Sequence, residues 1–276
     1  MTKALVEIKN IIEEQAGISN SYKRNVLRNY LQVFILHFIY SDKAYSDLIF
    51  YGGSVLSQCY RLPRSSENLD FIDLKGRVNI DKLSRDIEAY FKKETGLPIV
   101  TKTQKFRVYL KFPILRQLGI ANDSQSDWLH LKVEIFNGSG FCKKYKTEIK
   151  PLFKFNQSVI IKTFDLPTLM ATKINAVLNR KWKKIDKTGK VLISVKGRDY
   201  FDLMWYLQNN IKPNMSCVEG VTSIIDLQTK LLEIVSSLDT RSIVLDLENF
   251  IADQGFAKKL GRNIREILTI EINRLN

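Results

Sequence analysis

The sequence predicts an α+β protein, with a mixed sheet and flanking helices in residues 1–164 and a helical domain in 165–276. Three observations carry this. Short apolar runs bounded by glycine and polar turns alternate with helical stretches between Leu48 and Thr163. Trp128–Phe136 alternates strictly, with Leu129, Leu131, Val133 and Ile135 on one side and Trp128, His130, Lys132, Glu134 and Phe136 on the other. Beyond Asp165 helical spacing prevails, with basic or polar loops between helices.

Element by element, Ala4–Glu14 and Tyr22–Tyr40 have helical spacing, the second shown by Val26, Tyr30, Val33 and Phe34, with Asn20 or Ser21 as its cap. Leu48–Tyr51 is a short apolar strand ended by Gly52-Gly53, after which Ser54–Tyr60 begins a helix. Strands follow at Leu69–Leu74, Ile99–Lys102 and Phe106–Phe112, with a helix at Asn79–Lys93. Val159–Thr163 reads as the final strand, and the lysine-rich Lys184–Lys196 as the longest loop.

With 276 residues and 45% hydrophobic content the chain can bury a sizeable core. Its net charge of +14 draws polyanions, nucleic acid first among them. The longest apolar run, Val33–Tyr40, contains His37 and is far too short to span a bilayer. Met1–Asn10 mixes Glu7 with Lys3 and Lys9 and has no apolar signal core, so a cytoplasmic protein is expected. Cys59, Cys142 and Cys217 are far apart, odd in number and without CxxC spacing, which argues against disulfides and zinc and for incidental thiols. His37 and His130 are the only histidines and lie in no triad motif. Carboxylate and metal chemistry remains.

Gly52 and Gly53, between strand and helix, let backbone N–H groups face a phosphate, and Ser54 adds a hydroxyl; ordinary turn chemistry explains the same pair. Asn68 and Asp70 stand two apart on a strand, on one side, where they can converge on a triphosphate-bound metal or simply face solvent. Glu134 is an acidic residue on the non-core side of its strand, either a further carboxylate for that metal or half of an edge pair with Lys132.

Gly52-Gly53-Ser54, Arg64, Ser66 and Asn68-Leu69-Asp70-Phe71 resemble the first motif of the AbiEii/AbiGii-type nucleotidyltransferase toxins. Leu131–Ile135 is similar to that family's acidic strand, Ala171–Ala176 to its lysine helix, and Lys196–Leu203 to its RDxxDL helix, all in the family's order. The resemblance implies a DNA polymerase β-like minimal nucleotidyltransferase core with a helical C-terminal portion. It implies transfer of nucleotide from a nucleoside triphosphate, with Mg²⁺ or Mn²⁺, to RNA such as the tRNA 3′ end, by the toxin of a toxin–antitoxin or phage-defence pair. Asp70, Lys173 and Asp199 would be catalytic, and Asp70 and Glu134 the metal ligands. Gly52, Gly53, Ser54, Arg64, Ser66, Lys132, Arg198 and Asp202 would serve the nucleotide, with an ion pair as the other reading for Arg198. Asn68 departs from the aspartate of many relatives and offers an oxygen without charge.

The tract Arg180–Arg198, opening Arg180, Lys181, Trp182, Lys183, Lys184, mixes cations with an aromatic plane, which suits RNA; a solvated surface explains it equally. Lys143, Lys144, Lys146, Lys150 and Lys154 form a second basic stretch. Two other classes stay open: a catalytically weak member that binds RNA or a partner, and transfer to a protein or small molecule. A monomer with an antitoxin partner and no membrane is expected.

Overall fold

The structure, a computed structural model, describes residues 2–14, 17–186, 188–189 and 191–275. Its elements in chain order are α1 (Lys3–Glu13), α2 (Asn20–Ser41), β1 (Ile49–Tyr51), α3 (Gly52–Cys59), β2 (Asn68–Asp73), α4 (Ile80–Glu94), β3 (Val100–Gln104), β4 (Arg107–Pro113), β5 (Trp128–Asn137), β6 (Thr147–Lys154) and β7 (Gln157–Phe164). Then come α5 (Leu166–Asn179), β8 (Lys184–Ile185), β9 (Val191–Ile193), α6 (Gly197–Gln208), α7 (Ile224–Ser236), α8 (Thr240–Leu247) and α9 (Gln254–Asn273). The chain divides into one unit of Met1–Arg61, Ser65–Phe141 and Glu148–Thr163, and a second of Leu62–Arg64, Cys142–Thr147 and Phe164–Asn276.

The first unit is built on a seven-stranded sheet in the order β3-β4-β5-β2-β1-β7-β6. β2 runs parallel to β5 and antiparallel to β1, so the sheet is mixed. Period-two alternation sends Leu69 and Phe71 of β2, Val108, Leu110 and Phe112 of β4, and Leu129, Leu131 and Val133 of β5 into the core. Leu83, Ile87 and Phe91 of α4 are buried there too, Phe91 packing edge-on to Phe112 with ring centroids 5.2 Å apart. The other side of these strands carries the polar set, Asn68, Asp70, Lys132 and Glu134.

Several local readings change. The cap of α2 is Ser19, whose hydroxyl accepts from the Tyr22 amide, rather than Asn20 or Ser21. α3 starts at Gly52 itself, which turns the chain at φ +80. The stretch containing Lys150 and Lys154 is a strand, β6, because the successive positive φ values of Phe155 and Asn156 make a two-residue turn that lays it against β7. Lys184–Lys196 contains the β8–β9 hairpin, so β7 is not the final strand; two lysines of that tract, 187 and 190, lie outside the described residues.

In the second unit, Asp165 caps α5 by accepting from Thr168, and the fixed φ of Pro167 suits the helix start. Leu169, Met170, Ile174, Phe201, Leu227, Leu231, Ile243, Ile264 and Leu268 form its core. Gly261 lets α9 reach α8, since a Cβ there would lie 2.4 Å from Val244 Cγ2. Cys142 and Cys217, expected as incidental thiols, are joined as a disulfide with Cα atoms 5.2 Å apart. Their sequence separation of 75 hides a proximity that only folding creates. Among the described residues no helix is long and apolar enough to cross a membrane.

Candidate active site

The candidate site in the first unit forms where β1 ends. Tyr51 stands opposite Asp70 on antiparallel β2, and Asp70 stands opposite Glu134 on parallel β5, so both carboxylates leave one side of the sheet on adjacent strands. The chain turns out of β1 at Gly52 directly beside Asp70, where an added Cβ would lie 2.8 Å from Asp70 Oδ2. A side chain here would be strained at φ +80 and would displace the Asp70 carboxylate. Ser54, in the first turn of α3, is buried with its hydroxyl lacking any hydrogen-bond partner. An orphaned buried hydroxyl costs free energy unless something bound there satisfies it.

Glu134 is buried and ion-paired with Arg107 of β4, the residue opposite it in register. This pairing sets a cation against one of two acids that stand side by side. Among the described residues no group of three histidine, cysteine or acidic side chains could hold a metal. The donor set here is two carboxylates and the Asn68 side-chain oxygen, all hard, which fits Mg²⁺ or Mn²⁺ completed by substrate and water oxygens. Asp73, farther along β2, is committed to its own turn, accepting from the Lys75 and Val78 amides.

The second unit holds a buried ion cluster. Arg64 donates twice to Asp202, at 2.7 and 2.6 Å, with both side chains almost wholly inaccessible. Lys173 on α5 reaches Asp199 at 2.7 Å and Asp202 at 2.9 Å on α6, and Arg180 reaches Asp199 at 2.8 Å. The i, i+3 spacing of Asp199 and Asp202 turns both acids to one side of α6. Burial alone would raise both carboxyls, yet Lys173, with Lys196 and Arg180 beside Asp199 and Arg64 beside Asp202, holds them below the usual carboxylate range. Burial would likewise lower Lys173, but Asp199 and Asp202 outweigh it and raise the ammonium pKa. Lys196 has less compensation: burial, with Arg198, Arg180 and Lys173 nearby and Asp199 opposing, brings it down to about 8.

The remaining sequence-derived positions separate clearly. Arg64 is held by Asp202, so its guanidinium serves a buried ion pair. Arg198 takes the ion-pair alternative, binding Asp246 and lying over the Phe250 ring at 4.0 Å. Ser66 offers its carbonyl to Gln32. Lys132 lies on the carboxylate side of β5, opposite Asn68, with its ammonium 5.6 Å from the Tyr109 ring centre. Arg180 and Trp182 line a small cavity with Ser194, Lys196, Asp199 and Tyr200, while Lys181, Lys183 and Lys184 are exposed. Arg107 was not singled out from sequence; the alternation of Arg107-Val108-Tyr109-Leu110 placed it on a non-core side, but only register sets it against Glu134.

A mixed sheet with a Gly-Gly-Ser turn beside acidic residues on two adjacent strands defines a nucleotidyltransferase-type transferase. The chain belongs to the AbiEii family: the model described as "Nucleotidyl transferase AbiEii toxin, Type IV TA system" matches residues 38–263. It is thus a toxin-family nucleotidyltransferase of a toxin–antitoxin system. Among solved structures, the nucleotidyltransferase toxin MenT4 of Mycobacterium tuberculosis H37Rv matches with TM-score 0.53 and 12% identity, over 98% of this chain and 92% of that one. JHP933 of Helicobacter pylori matches with TM-score 0.50 and 16% identity, over 91% and 93%. Both likenesses concern the fold. No curated protein matches the chain.

Proposed function

We propose that the chain transfers nucleotide from a nucleoside triphosphate to RNA, at the tRNA 3′ end, and so blocks translation as a toxin held in check by an antitoxin. The observation that carries this reading is the register pairing of Asp70 with Glu134 beside the Gly52 turn. Asp70, Glu134 and Asn68 would hold Mg²⁺ or Mn²⁺. When bound, the ion neutralises triphosphate charge and lowers the pKa of the attacking hydroxyl. Gly53 and Ser54 would meet phosphate oxygens, giving the orphaned Ser54 hydroxyl its partner. Arg107 orients Glu134. Within the second unit, Asp199 and Asp202 position Lys173. The net charge of +14 supports a polyanionic acceptor over a small one.

Incubation with labelled nucleoside triphosphates, Mg²⁺ and total tRNA is expected to label the RNA, and Asp70→Ala to abolish the label. Equal labelling by wild type and variant, or label on protein or small molecule alone, overturns the reading. Asn68 and the Arg107–Glu134 pair favour one competitor, an RNA-binding member with impaired chemistry. That competitor predicts salt-dependent RNA binding with no incorporation of any of the four nucleotides.

A further inference from the structure

The sheet side that carries Asp70 and Glu134 continues outward across three strands in continuous register. Gln104, Arg107, Glu134 and Asp70 form one row across β3, β4, β5 and β2. The next row is Lys102, Tyr109, Lys132 and Asn68. Beyond it stand Val100, Lys111 and His130, and then Pro113 and Trp128. The opposite side of the same strands is the buried core, whereas here Trp128 is 39% exposed and Val100 49%. Lys102 and His130 are exposed as well, and Tyr109, Lys111 and Lys132 half-buried.

In these rows Asp70 and Glu134 are the sole carboxylates, and Glu134 is already balanced by Arg107. The other charged groups of the face, Lys102, Arg107, Lys111 and Lys132, are all cationic, and Tyr109 and Trp128 add aromatic rings among neutral residues. The local field registers on His130, whose pKa is lowered by partial burial and then by Lys111, Arg28 and Lys132. Two-residue steps along β5 separate Glu134, Lys132, His130 and Trp128 by about 7 Å each. The row therefore leads from the paired carboxylates to an exposed indole about 20 Å away, room for a few nucleotides.

We infer that this face is the platform on which single-stranded acceptor RNA lies, its reacting end at Asp70 and Glu134 and its upstream nucleotides running along β5 to Trp128. This rests on the RNA-transfer reading above. Lys102, Lys111 and Lys132 neutralise backbone phosphates, while Tyr109 and Trp128 offer ring planes to bases. An unpaired strand is required because a duplex hides its base faces. A second copy of this chain is the wrong occupant, since each copy brings a net charge of +14 and the same cationic face.

The test is fluorescence anisotropy of a labelled single-stranded RNA oligonucleotide on the full chain, without nucleoside triphosphate, over a range of salt. Trp128→Ala is expected to weaken binding about tenfold and Trp128→Phe to retain most of it. Lys102→Gln combined with Lys111→Gln is expected to flatten the log–log salt slope by about 1.4, two phosphate contacts at about 0.7 each. Lys258→Gln, at an exposed position of α9 in the second unit, serves as the comparison and is expected to change little. Wild-type affinity and slope in all the sheet variants overturn the inference, as does equal wild-type affinity for an RNA duplex of the same length. Failure of the underlying reading looks different: no labelling of RNA by the wild type while Trp128→Ala still weakens binding leaves the platform in place. Normal labelling with unaffected binding removes the platform and leaves the reaction.

Discussion

The Arg64–Asp202 pair offers the most discriminating perturbation, because it asks whether Arg64 serves the fold or the nucleotide. The cluster sets Arg64, Lys173 and the partly exposed Arg180 against two carboxylates, Asp199 and Asp202, and Asp202 has no accessible surface at all. Arg64→Met strips the enclosed Asp202 of its two-bond partner, and Asp202→Asn strips the enclosed Arg64 of its counter-charge. Breaking a buried pair from one side costs about 3–5 kcal/mol, which for a chain of this size lowers the melting midpoint by about 6–20 °C. The double variant restores balance and is expected to lose less than the sum of the singles, by about 2 kcal/mol. Thermal and denaturant unfolding of the four proteins closes the cycle. Singles within about 1 kcal/mol of wild type, the range of an exposed pair, together with additive effects, would refute a buried structural pair. A raised KM for nucleoside triphosphate in a fully stable Arg64→Met variant would then restore Arg64 to nucleotide binding.

Three further outcomes follow from geometry elsewhere. Gly52→Ala adds the αL cost of about 1–2 kcal/mol and drives a methyl to 2.8 Å from Asp70 Oδ2, so labelling should fall at least about tenfold; Gly119→Ala, with φ +68 and open space around it, should carry the backbone cost alone, and equal activity of the two variants refutes the Asp70 contact. Reducing Cys142–Cys217 releases a loop with a separation of 75 residues, which should cost about 4 kcal/mol in denaturant unfolding; coincident curves with and without reductant refute the bridge. Lys196 sits at about 8 when folded against 10.5 ordinarily, so between those values the unfolded chain holds more protons and stability should climb with pH. Lys196→Met should remove that part of the climb, and parallel pH–stability curves for wild type and variant refute it.

Local chemistry made much of the first unit legible. Alternation in Trp128–Phe136 and the short run before Gly52-Gly53 are patterns among near neighbours, and they mark β5, the end of β1 and the acidic positions Asp70 and Glu134 without knowledge of any partner strand. The β6 strand was hidden because its lysines mimic a solvated loop, and its place depends on a turn formed by two non-glycine residues at positive φ. The β8–β9 hairpin was hidden because strands of two and three residues carry almost no periodicity.

The sequence by itself determined the α+β class, the order of motifs and the candidate carboxylates, since each follows from spacing within a few residues. Tertiary structure alone decided that Arg107 neutralises Glu134 from 27 residues away, that Arg64 pairs with Asp202 across 138, and that Cys142 meets Cys217 across 75. Those partners are chosen by strand register and helix packing, and the same charges could be satisfied by solvent until burial removes it.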